Sequence, residues 1–159
     1  ALTVADFNFS DILNYQLSGT ELTILNNICF VEFNIEPTRC IQHLYKILEY
    51  GDSHPFNIME ARHFYPVTVG MLAARLFAQK RYDEILLLAP KLHMPIIKSS
   101  LYFVGHINAH YCQVLGHTGN LEHVKKHSYY AFYNAVITNT TAHTCIKRDI
   151  QNDFNIEIE

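Results

Sequence analysis

Apolar residues along this chain recur every three or four positions, the period of an α-helix with one buried stripe. Leu22, Leu25, Cys29 and Phe33 form such a stripe, and the spacing predicts a first helix over 20–33. Ser18-Gly19-Thr20-Glu21 has the S-x-x-E spacing of a capping box, in which a hydroxyl and a carboxylate satisfy the orphan amides of a helix start. Pro37, preset for a first helical turn, opens a second helix to about Tyr50. Gly51 is read as its C-terminal stop, and 51–57 as a loop. Pro66 starts or kinks a third helix to about Gln79, with Val69, Leu72, Ala73 and Leu76 on its apolar face. After a short Lys80-Arg81 turn, a fourth helix over 82–89 carries Ile85, Leu88 and Ala89, and Pro90 bends or ends it.

The pattern continues beyond Pro95, which opens a fifth helix to about Leu115. A turn at 116–119 leads to a sixth helix over 120–139, and a seventh covers 141–153. Helices joined by turns of a few residues make antiparallel hairpins, so the expectation is an all-α fold. At the end, Phe154, Ile156 and Ile158 alternate with polar residues. That period of two fits an extended tail with one apolar edge, or a frayed terminus.

A weak internal repeat sharpens the architecture. Ala73-Ala74-Arg75-Leu76-Phe77, a turn and Tyr82-Asp83-Glu84-Ile85-Leu86 resemble Ala109-His110-Tyr111-Cys112-Gln113, a turn and Leu121-Glu122-His123-Val124. The offset is on the order of 34 residues, near that of tetratricopeptide helix pairs. The strict consensus of that repeat is absent. The expectation is a TPR-like, right-handed stack of helical hairpins with a concave inner surface.

Composition narrows the function classes. The 159 residues fit one domain, and 12 basic against 15 acidic residues give a net charge of −3. A field of that sign does not attract nucleic acid. The longest apolar runs, such as 85–89, fall far short of a bilayer span. The chain opens Ala1-Leu2-Thr3 with no initiator Met and no basic-then-apolar leader, so no signal peptide is visible and the expectation is a fragment of a longer protein. The four cysteines contain no C-x-x-C pair, and each lies among apolar neighbours, where free Cys behaves as a small hydrophobe. The sequons at Asn8 and Asn139 are read as chance matches.

Ten histidines are the oddest feature. His106 and His110, and again His123 and His127, are four apart, and an antiparallel hairpin of the fifth and sixth helices would set His110 and His127 at similar height. The zinc-protease form H-E-x-x-H is absent. Glu60-Ala61-Arg62-His63 matches E-x-x-H without the second copy that a di-iron bundle needs. No nucleophile elbow and no Gly-rich phosphate loop occur. The sequence therefore reads as a non-enzyme, with no metal and no cofactor.

Polar breaks in apolar stripes carry the binding hypothesis. Ile97, Leu101, Val104, Asn108, Tyr111 and Leu115 share one face of the fifth helix, and Asn108 interrupts it. A buried amide needs partners, either the backbone of an extended peptide or a neighbouring helix. Arg75 offers a charged hydrogen bond to a ligand carboxylate, or else belongs to a solvated face. Tyr130 and Asn134 on the sixth helix complete the candidate ligand set of Arg75, Asn108, Tyr111, Tyr130 and Asn134.

Four segments together resemble the C-terminal domains of Rgg/GadR/MutR-type transcription regulators: 17–27, from Leu17-Ser18-Gly19-Thr20-Glu21; 81–89, from Arg81-Tyr82-Asp83-Glu84-Ile85; the Gly119-Asn120-Leu121 turn; and 149–154, ending Asn152-Asp153-Phe154. The resemblance covers roughly 17–154 and is a pattern of helices and turns without a signature motif. It implies a cytoplasmic, TPR-like regulatory domain that forms a homodimer and binds a short signalling peptide on its concave surface. It also implies that DNA is contacted only by an N-terminal helix-turn-helix lying outside this fragment. The alternative is a generic TPR-like protein-interaction scaffold with no small ligand.

Overall fold

The computed structural model describes residues 8–88 and, beyond them, 91, 111, 113–117, 119–120, 122–124, 126–128, 144, 147–149, 151–152, 155 and 157. The chain divides into two compact units, 1–72 and 73–159. The described residues form helices and turns, with no strand among them.

In the first unit a 3₁₀ segment, Phe9–Asn14, precedes α1 (Gly19–Glu32) and α2 (Pro37–Ser53). The capping box forms as its spacing predicts: the Glu21 amide donates to Ser18 Oγ at 3.3 Å, and the Ser18 amide donates to Glu21 Oε2 at 2.8 Å. α1 and α2 run antiparallel. Cys40, near the start of α2, donates its thiol to the Cys29 carbonyl near the end of α1 (3.1 Å). At the other end of the hairpin, the Leu17 amide donates to the Tyr50 hydroxyl at 2.7 Å, and that hydroxyl donates to the Tyr15 carbonyl at 3.0 Å. Leu22, Leu25 and Cys29 meet Ile41, Leu44, Ile47 and Leu48 in the core, and Phe33 is half-buried at its edge.

Two boundaries differ from the sequence expectation. α2 continues through Gly51 to Ser53, and α3 begins at Ile58 and ends at Ala78, with Pro66 inside it. The start of α3 is a second reciprocal cap: the Glu60 amide donates to Asn57 Oδ1 at 3.0 Å, and the Asn57 amide donates to Glu60 Oε2 at 3.3 Å. Gly51 is there for space instead of termination. A Cβ on it would stand 3.0 Å from the Phe64 ring and 3.1 Å from the Tyr65 ring.

The first part of α3 is tied to α1 through a buried polar knot. Asn26, fully buried on α1, donates Nδ2–H to the Phe64 carbonyl at 3.1 Å. The Thr68 hydroxyl is shared between Asn26 Oδ1 (3.0 Å) and the same carbonyl (2.9 Å). A buried amide without such partners costs about 1–3 kcal/mol.

In the second unit, the end of α3 turns at Lys80, whose φ of 58° is the left-handed conformation that closes a helix. The Arg81 amide donates to the Leu76 carbonyl at 3.0 Å, and α4 (Tyr82–Leu87) follows, with Ile85 and Leu88 buried. The expected turn at 116–119 is also present. Gly119 has φ 78°, and the Asn120 amide donates to the Leu115 carbonyl at 2.9 Å. Residues 113–117 before it and 122–124 after it are helical. In the seventh helix region, 147–149 and 151–152 are helical. Asn155 leaves that region with φ 52°, its amide on the Gln151 carbonyl at 2.9 Å, so the alternating tail does not begin as an extended strand at that position. Phe154, Ile156 and Ile158 lie outside the described residues.

Candidate functional site

Of the five residues proposed to touch a ligand, Asn108, Tyr130 and Asn134 lie outside the described residues. Arg75 is half-buried on α3. Tyr111 is half-buried and meets the buried His127 edge-on at 4.7 Å between ring centroids. That contact joins the helical segments on either side of the 116–119 turn at Tyr111 and His127. His106 and His110 are outside the described residues, and His123 is exposed. In Glu60-Ala61-Arg62-His63, Glu60 serves the α3 cap and His63 Nε2 accepts from Arg62 Nε at 3.2 Å, so the E-x-x-H match is spent on local structure.

The structure draws attention elsewhere, to the outer side of the α1–α2 hairpin. Because α1 spends Leu22, Leu25 and Cys29 on α2, its second apolar stripe faces outward. Ile24, Ile28 and Val31 on α1, with Ile35 in the turn that follows it, are spaced 4, 3 and 4 and line an open groove of about 590 Å³ with Asn27. Val31 is 61% exposed and Ile35 74%. Sequence reasoning followed only one stripe of this helix, and the 4, 3, 4 spacing of the other was the available signal.

One wall of the groove is charged. Arg39 places Nε 3.2 Å from Glu32 Oε1 and a terminal guanidinium nitrogen 3.2 Å from Glu36 Oε2. The other oxygen of Glu32 lies 2.7 Å from His43 Nδ1. The His43 ring stacks flat on Phe9, with centroids 3.8 Å apart and 7° between planes. Cys29 completes this corner: its Sγ, a Glu32 oxygen and a His43 ring nitrogen all lie within 4.8 Å of one another. Burial raises the Cys29 thiol well above the usual thiol range, helped by the neighbouring Cys40 and Glu32. In the free protein it is a protonated, fully buried group and no nucleophile.

A second, smaller hollow of about 340 Å³ lies at the other end of the hairpin, between Leu17, Tyr50, His54 and Phe56. His54 stacks on Tyr50 at 3.8 Å. The Tyr65 hydroxyl donates to Asp52 Oδ1 at 2.7 Å; burial, then that bond, raises the phenol and keeps it neutral. Tyr65 and Asp52 thus serve the α2–α3 junction.

Comparison of the chain with protein-family models, with curated proteins and with solved structures found no match. Among the described residues, no helix is long and apolar enough to cross a membrane.

Proposed function

We propose that this chain is a ligand-sensing helical domain that takes a short apolar peptide, and that it serves a transcription regulator of the Rgg/GadR/MutR kind. The observation that carries the binding half is the outward stripe of Ile24, Ile28, Val31 and Ile35 with its charged wall. A stripe that folding does not use exposes apolar area at a cost in solubility, and such patches mark surfaces that meet another molecule. The wall of Glu32, Glu36 and Arg39 sums to one negative charge, which favours a peptide carrying a basic residue or a free amino terminus on that side. The regulator half rests on the sequence resemblance, as do the homodimer and the TPR-like stacking of hairpins. In this reading the peptide shifts the population between two arrangements of the domain and thereby the spacing of DNA-binding heads carried elsewhere in the parent protein.

Calorimetric titration of the intact chain with short synthetic Leu/Ile-rich peptides bearing one lysine tests the binding half. Saturable binding is expected, with Val31→Ser weakening it about tenfold through lost apolar contact. Absence of binding well above micromolar concentration overturns the peptide reading. The exposure of Phe30, 58% and adjacent in sequence to this stripe, favours a second reading in which the same face receives a protein partner. A partner whose capture is abolished by Val31→Ser, with no peptide bound, decides for it.

A further inference from the structure

We propose that Cys29, Glu32 and His43 form a metal site that takes one divalent ion of the zinc class at the α1–α2 junction. The proposal does not rest on the peptide reading, although Glu32 serves both the groove wall and the metal set. Its ground is a juxtaposition of three different donor types at one point: a thiol, a carboxylate and an imidazole, all within 4.8 Å of one another. Two donors come from successive turns of α1 in a C-x-x-E spacing, and the third comes across the hairpin from α2, so the antiparallel pairing itself assembles the set. Around zinc, with bonds of about 2.3 Å to sulfur and about 2.0–2.2 Å to nitrogen and oxygen, neighbouring ligand atoms stand roughly 3–4 Å apart. To meet that requirement Cys29 Sγ closes on the other two donors by about an ångström while the Glu32–His43 pair, 2.7 Å apart, opens slightly, and His43 Nδ1 exchanges its bond to Glu32 for one to the ion.

The surroundings are those of a supported site. Arg39 holds the Glu32 oxygen that faces away from His43, and Phe9 stacks on the imidazole, so two of the three ligands are already oriented by neighbours. A sulfur, nitrogen and oxygen set selects zinc or cobalt over magnesium or calcium, which prefer all-oxygen shells. Three protein ligands leave a fourth position for water or an incoming donor, and the Glu32 and His43 side chains keep 16% and 13% of their surface exposed. Binding converts the Cys29 thiol to a thiolate with release of its proton to solvent, and the ion, the thiolate and the Glu32 carboxylate together are electrically neutral.

The test is titration of the chelator-treated intact chain with Co²⁺, read by the thiolate-to-cobalt charge-transfer absorption and the visible bands of four-coordinate cobalt, followed by displacement with Zn²⁺. One equivalent is expected, and the signal should persist in Cys112→Ala/Cys145→Ala and in Cys40→Ala. It should vanish in Cys29→Ala and shift to at least about tenfold weaker affinity in His43→Gln and Glu32→Gln. Circular dichroism checks that each variant folds; if Cys29→Ala does not, the two half-buried ligands on the hairpin still decide. A missing charge-transfer band in the parent chain overturns the proposal, as does one that survives Cys29→Ala or is indifferent to both His43→Gln and Glu32→Gln. Either failure leaves peptide binding by Val31 and Ile35 untouched, because neither of these is a metal ligand.

Discussion

The two helices of the first hairpin are built on different plans. α2 is amphipathic: Cys40, Ile41, Leu44, Ile47, Leu48 and Tyr50 are buried, while Arg39, Gln42, Glu49 and Asp52 face water. α1 buries Leu22, Leu25, Asn26 and Cys29, yet also exposes Ile24, Phe30 and Val31. Burial on one face accounts for the composition of α2, whereas Ile24 and Val31 of α1 lie outside the face that it buries. A helix that is apolar on more than one side normally lies inside a larger assembly.

Substitutions can break or sharpen this contrast. The largest effect is expected from Leu44→Ala on α2, a fully buried side chain whose truncation costs about 2–5 kcal/mol in chemical denaturation. A loss below about 1 kcal/mol would mean that the α1–α2 core is loosely packed. Next comes Asn26→Ala, which strips the Phe64 carbonyl and Thr68 hydroxyl of their shared partner and is expected to cost about 1–3 kcal/mol. If Asn26→Ala is neutral, the knot is no determinant of how α1 meets α3.

Ser18→Ala is expected to cost about 1 kcal/mol through loss of the cap. It also carries a pH signature. The Ser18 amide, then its hydroxyl, hold the Glu21 carboxyl below the ordinary glutamate range in the folded protein. The cap thus contributes fully above the unfolded pKa of that group, and its contribution is lost as pH falls through the lower folded value. Denaturation midpoints measured across that acid range should slope less in Ser18→Ala than in the parent chain. The smallest effect belongs to Ile35→Ser, expected within about 0.5 kcal/mol of the parent because Ile35 is largely exposed. A cost above 1 kcal/mol at Ile35 would erase the contrast by giving the outer stripe a structural role.

Much of the fold was legible because its signals are local. The capping box at Ser18, the proline at Pro37, the turn at Lys80-Arg81 and the glycine turn at 116–119 each act within four residues, and each appears where the sequence placed it. Gly51 misled because a glycine between two turns of helix reads as a stop, whereas its reason lies in the rings of Phe64 and Tyr65, 13 and 14 residues on. The start of α3 was missed although Asn57-Ile58-Met59-Glu60 repeats the capping logic of Ser18 with an amide in place of a hydroxyl. The Cys29–Glu32–His43 corner was hidden for a different reason. Its donors are ordinary residues one by one, and only the reversal of direction between α1 and α2 makes them neighbours.

One oxygen atom has consequences for how this unit comes apart. The Tyr50 hydroxyl receives the Leu17 amide and grips the Tyr15 carbonyl, so the strap leading into α1 is fastened to the far end of α2. Peeling the strap away exposes a phenol and two peptide groups at once, and fraying the last turn of α2 does the same. The two edges therefore open as one cooperative piece, and a disturbance at either is felt at the other before the core is breached.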